Sequence, residues 1–174
     1  MRIKTFLITL LTFFLFSLGA NAQFMFAEGT QIAMSDDSEK KIEDVLVGDI
    51  VLAFNYKDKV YEDKKVKSVS KTMLNRFVRI TLETGKQVTL TADSPIIAEK
   101  GWASVDPEWT RSNDKYKTVQ QCNPDDFILF YNVSSSDYTE IYTIQGILEP
   151  KLAYEIELDG GEVIVANGFL VGLN

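Results

Sequence analysis

The sequence holds one cysteine, Cys122, and no histidine. These two facts narrow the chemistry before any motif is sought. Histidine titrates near neutrality, so its absence removes the commonest general base. One thiol cannot close an internal disulfide, and one Cys without His does not supply a structural zinc site. Cys122 sits in Gln121-Cys122-Asn123-Pro124 with no imidazole to activate it, so it is expected as a small, partly buried side chain. The segment Thr91-Ala92-Asp93-Ser94 gathers two hydroxyls and a carboxylate. It reads in three ways. It is a polar pocket in which Asp93 binds something, a hydrolase site using Ser94 or Thr91 beside Asp93, or a strand-end turn with Asp93 capping backbone amides. Asp36-Asp37-Ser38-Glu39 has the carboxylates of a calcium loop but neither its alternating ligands nor its closing Glu, so a solvated hairpin turn is expected. No metal and no cofactor is expected.

The elements that must position these residues are short and β-like. Val47-Gly48-Asp49 is a turn leading into the buried strand Ile50–Phe54, and a longer strand is expected through Lys64–Lys71. Phe77–Leu82, a turn at Glu83-Thr84-Gly85-Lys86, and Gln87–Thr91 read as a hairpin; Tyr154–Leu158, Asp159-Gly160-Gly161-Glu162 and Val163–Ala166 read the same way. No sustained helical period occurs, and Glu39–Leu46 has room for a single turn. Phe24, Met25 and Phe26 are read as a first strand tucked into the core.

The stretch from Val47 to Asn55 recurs about 77 residues later as Pro124 to Asn132, with Asp49, Leu52 and Asn55 matched by Asp126, Leu129 and Asn132. Each copy is followed by a β-like stretch and an expected hairpin. The order and near-constant offset indicate an internal duplication of two curled antiparallel sheets, each with an apolar face the other would cover. Between them, 99–121 is polar and irregular, and is read as a surface insertion pinned by Trp102 and Trp109.

Three ordered segments resemble the Hedgehog/intein, or Hint, family. The first is Phe26-Ala27-Glu28-Gly29-Thr30 with Ile42-Glu43-Asp44-Val45 and Val47–Leu52. The second is Thr91-Ala92-Asp93-Ser94-Pro95 with Gly101-Trp102. The third is Ala153–Glu157 with Ala166-Asn167-Gly168-Phe169-Leu170-Val171. They span nearly all of 25–174. The resemblance implies an all-β horseshoe of two curled antiparallel subdomains related by a pseudo-two-fold axis. It also implies self-cleavage, which begins when a Cys or Ser at the first position attacks the preceding carbonyl. Here that position is Met25, whose thioether has no proton to lose. The family's Thr-x-x-His histidine is replaced by Ser94, a poor proton donor at neutral pH, although Thr91 is kept. The His-Asn ending becomes Gly172-Leu173-Asn174, so Asn174 falls one place late. Met25, Thr91, Ser94 and Asn174 are thus expected as vestigial site positions with no catalytic residue among them.

The N-terminus has the pattern of an export signal: basic Arg2 and Lys4, an apolar run from Phe6 to Leu18, then Ala20-Asn21-Ala22. Signal peptidase reads small side chains at those two alanines, which places the cut after Ala22. The apolar run is shorter than the ~20 residues a membrane span needs. What remains, 23–174, is expected as one β domain with room for a single core. Only Gln23 and Phe24 then precede the opening block, leaving no N-terminal cargo for splicing or sterol transfer. The formal charge is −7, and losing Arg2 and Lys4 deepens it. This acidity argues against nucleic acid and against anionic membranes. The expectation is a secreted, periplasmic or cell-surface domain that is catalytically inactive and binds an unknown protein or small molecule. Two alternatives stand: the hydrolase above, and a partner of another exported protein or toxin system. Asn132-Val133-Ser134 is a glycosylation sequon at an expected strand end. Intact-mass analysis of the exported protein should give a chain beginning at Gln23; a mass that retains the leader would overturn the cut site.

Overall fold

The computed structural model describes residues 23–133 and 135–174. The expected leader, 1–22, lies outside the described residues, as does Ser134 of the sequon. Fifteen strands form one hydrogen-bonded sheet. In order they are β1 (Phe26–Ala27), β2 (Gln31–Ala33), β3 (Glu39–Lys41), β4 (Ile50–Asn55) and β5 (Val60–Leu74). Then come β6 (Phe77–Leu82), β7 (Gln87–Leu90), β8 (Ile96–Ala98), β9 (Gly101–Ser104) and β10 (Gln120–Gln121). The last five are β11 (Phe127–Asn132), β12 (Ser135–Ile147), β13 (Lys151–Leu158), β14 (Val163–Ala166) and β15 (Phe169–Gly172). One helical turn, α1 (Pro107–Thr110), and two short 3-10 turns complete the described elements. The all-β expectation holds.

The long strands tie the two halves together. β5 pairs with β4 of its own half and with β13 of the other. β12 pairs with β11 and, across the molecule, with β6. A strand as long as β5 can serve two neighbours because sheet twist turns its two ends toward different faces. The main core lies between the halves and joins Phe26, Val51, Val66, Ile80, Leu90, Ile128, Ile141, Ile156 and Phe169.

The two turns that start β4 and β11 are built alike, bond for bond. Gly48 N–H donates to the Val66 carbonyl and Val66 N–H to the Asp49 carbonyl, both at 2.9 Å; Asp125 and Asp126 make the same pair with Ile141, also at 2.9 Å. Gly48 has φ +96° and Asp125 φ +69°, so the same left-handed kink recurs, once on a non-glycine residue. Asp49 Oδ2 accepts from Leu46 N–H (2.8 Å) and Lys40 Nζ (2.7 Å). Asp126 Oδ2 accepts from Asn123 N–H (2.7 Å) and Lys100 Nζ (2.6 Å).

The β6–β7 hairpin forms as expected. The second hairpin does not: β13 pairs with β5 and β1, whereas β14 pairs with β15, β4 and β2. The Gly160-Gly161 turn carries the chain from one part of the sheet to another. It packs so closely on Leu158 that a Cβ at Gly161 would lie 2.9 Å from Leu158 Cδ1. Residues 99–121 are also more regular than their polarity suggests, containing β9, α1, a 3-10 turn and β10. Trp102 packs on Tyr56 and Tyr116, whereas Trp109 is 45% exposed; Thr110 and Tyr116 are the buried anchors. Asp36 Oδ1 accepts from Ser38 N–H (3.1 Å) and Ser38 Oγ (2.5 Å), closing the β2–β3 turn.

Bonds from Leu46 N–H and Lys40 hold the Asp49 carboxyl below the usual carboxylate range. A carboxyl lowered in the folded state stabilises above its unfolded pKa and loses that contribution as pH falls through the folded value. Asp49→Ala should therefore cost about 1–3 kcal/mol in urea unfolding at neutral pH. The cost should shrink below pH about 4. An undiminished cost at low pH would refute the assignment.

Candidate functional site

Residues 23–25 lie against the turn that follows β7. Thr91 N–H donates to the Met25 carbonyl (2.9 Å). Thr91 Oγ1 donates to the Gln23 carbonyl (3.1 Å), accepts from Met25 N–H (3.2 Å), and stands 2.9 Å from Ser94 Oγ. Ser94 N–H returns to the Thr91 carbonyl (3.0 Å), which makes the segment a closed turn. The structure therefore brings Thr91 to the backbone of Met25, with Ser94 bonded to Thr91. The Met25 side chain goes elsewhere. It is buried with Ala27, Phe77 and Ala153, an apolar cluster on the far side of the strand from Phe26.

Asp93 is 6% exposed, and its Oδ2 accepts from Gln23 N–H at 3.2 Å. Burial pushes its carboxyl above the usual carboxylate range, opposed by hydrogen bonds from Thr91 and the backbone. Its carbonyl accepts from Thr110 Oγ1 (2.7 Å), whose hydroxyl also meets Ser104 Oγ (2.7 Å). Asp93 is thus held by the 99–121 segment as well as by its own turn. It caps a backbone amide, as one of the three readings expected.

Phe24 is in the core as the sequence reading expects, but its partner Tyr116 is one that reading missed. Phe24 is fully buried and packs edge-on against Tyr116, with ring centroids 5.3 Å apart. Val119 and Trp102 complete the cluster, Trp102 meeting Tyr116 at 5.0 Å. Tyr116 Oη donates to the Leu173 carbonyl (3.0 Å). Its ring lies over Gly172, where an ideal Cβ would overlap Oη and lie 2.8 Å from Cζ and 2.9 Å from Pro95 Cγ. The Tyr116 ring fills that space. A glycine inside a buried strand was the available signal, since it marks close approach of another group.

Asn174 sits apart from this plug. Its Nδ2 donates to Glu155 Oε1 (2.6 Å), its carbonyl accepts from Lys115 Nζ (3.0 Å), and its Oδ1 is buried without a partner. Gln23, Lys115, Glu155 and Asn174 line one open cleft of about 510 Å³. Met25, Thr91, Asp93 and Ser94 do not line that cleft. Cys122 is buried, and burial followed by the nearby Asp126 charge pushes its thiol up to about 12. Such a thiol is not a nucleophile at neutral pH. Ser94, at 2% exposure and bonded to Thr91, offers no accessible hydroxyl for hydrolysis.

Solved structures share this arrangement of strands. A DnaB intein from Synechocystis matches with TM-score 0.72 and 16% identity, over 87% of this chain and 99% of that one. A bacterial intein-like domain from Clostridium thermocellum matches with TM-score 0.70 and 16% identity, over 88% and 100%. The TvoVMA intein matches with TM-score 0.65 and 15% identity, over 85% and 96%. The chain has the intein, or Hint, fold. No family model matches the sequence, and no curated protein matches it either. At these identities the likeness is one of fold, and activity has to be argued from the Hint-fold site itself.

Gly172→Ala should destabilise the Hint fold by about 1–3 kcal/mol, because Cβ and the Tyr116 ring compete for one space. In a Tyr116→Leu background the same substitution should cost much less, measured as a double-mutant cycle in urea. Equal costs in both backgrounds would remove Tyr116 from the place assigned to it.

Proposed function

We propose that this is an exported Hint-fold domain that does not cleave itself and acts by binding. The observation that carries the reading is the Phe24–Tyr116 plug over Gly172. Self-cleavage needs a nucleophile at the first position, a proton donor to the leaving nitrogen and access to the scissile bond. Met25 offers no acidic proton. Ser94 replaces the histidine and is committed to Thr91. The Phe24–Met25 peptide is flanked by buried side chains, and its nitrogen is bonded to Thr91 Oγ1. These deficits are independent, so restoring one would not restore the reaction.

Export is supported by the leader pattern of 1–22. The acidic balance favours a protein or small-molecule partner over nucleic acid or anionic lipid. Binding has room in a cleft of about 480 Å³ between β4–β5 and the turn after β13, where Tyr56, Lys57, Lys67 and Lys115 face Glu157 and Glu162.

The test places a folded reporter upstream of Gln23 and follows the intact mass over days, with and without added thiol. The chain should stay whole. Specific scission between Phe24 and Met25 would overturn the reading.

A further inference from the structure

Asp93 is a carboxylate at 6% exposure. Among the described residues, no lysine or arginine forms an ion pair with it. The charge it feels is Asp106, of its own sign. A buried carboxyl served only by the Thr91 hydroxyl and backbone amides is costly to ionise, and such a group persists where something compensates it. Its Oδ2 points at the Gln23 nitrogen, 3.2 Å away. Gln23 is the residue that the leader pattern places first in the exported chain.

We propose that Asp93 is the binding site for the α-ammonium group of Gln23, created when the leader is removed. The proposal rests on the export reading. Hydrolysis of the Ala22–Gln23 amide adds water across the C–N bond. Ala22 leaves as a carboxylate, and Gln23 keeps a nitrogen that takes up a proton at neutral pH. One amide donor then becomes a cation with three donors, at the place where the unpaired carboxylate waits. The seat is formed in advance. Thr91 Oγ1 holds the Gln23 carbonyl, and the buried Phe24 ring next in sequence fixes where the Gln23 nitrogen lies. Thr110, bonded to the Asp93 carbonyl, braces the carboxylate from the other side. Leader removal thus completes the fold as well as releasing it.

Four proteins test this: chains beginning at Gln23 and at Ala20, each with Asp93 and with Asp93→Asn. The Gln23 form should melt roughly 3–8 °C above the Ala20 form, as a charge-assisted hydrogen bond in a domain of this size would give. Asp93→Asn should abolish that gap by lowering the Gln23 form and leaving the Ala20 form level or raised. Equal melting of the two Asp93 proteins, or a gap that survives in Asp93→Asn, overturns the proposal.

A second measurement needs no variant. A free N-terminal Gln cyclises when its neutral α-nitrogen attacks the side-chain carboxamide carbon and ammonia leaves, which intact mass reports. An ammonium paired with Asp93 cannot attack. Cyclisation should therefore be at least about tenfold slower in the folded Gln23 form than in the same chain in urea, one unit of amine pKa giving that factor. Equal rates overturn the seat. Leader removal at another bond in the exporting cell would fail the export step alone, because the four proteins carry defined termini.

Discussion

Two long strands each pair with both a sequence neighbour and a strand distant in the chain, and they hold the single sheet together. β5 reaches from β4 to β13, and β12 from β11 to β6. This pairing closes the apolar faces of both halves over one core. It also sets two strand-opening turns into matching frames, where Asp49 and Asp126 each collect an amide and a lysine. Removing either half would expose a row of unpaired backbone groups along a long strand, which is a far larger penalty than any single side chain carries.

The site lies where the long strands bring distant segments together. β1 is inserted between β7 and β13, so residues 23–25 are delivered onto Thr91 from across the sheet. The 99–121 segment folds back over the same place and supplies Tyr116. Here an aromatic cluster occupies it. Burying Phe24 fully contributes roughly 1.5–3 kcal/mol relative to leaving it in water. The same contact buries the side chain next to the Phe24–Met25 peptide.

Much of the fold was legible in the sequence because strand patterning is local. Alternation and turn residues mark β4, β6, β7 and β11, and the recurrence of the Val47 segment at Pro124 predicts two matching turns. The second hairpin misled for a physical reason: two apolar runs around Gly160-Gly161 look alike whether they pair with each other or with other strands. Register is decided by partners far along the chain. The 99–121 segment looked irregular because its elements are a few residues long and are held by tertiary contacts. Trp109 looked like an anchor by size, yet Tyr116, whose hydroxyl has a buried carbonyl to meet, takes that place.

What the sequence determined alone was a set of absences: no histidine, no hydroxyl or thiol at position 25, and one cysteine. Atoms that are missing cannot be supplied by any fold. What only the tertiary structure decided was how the remaining atoms are spent. Thr91, Asp93 and Ser94 could have lined a pocket. They instead hold backbone, because residues 23–25 and 110 reach them from distant points in the chain. Hydrogen-bond partners and burial depend on where segments meet in space, and local sequence carries little record of that.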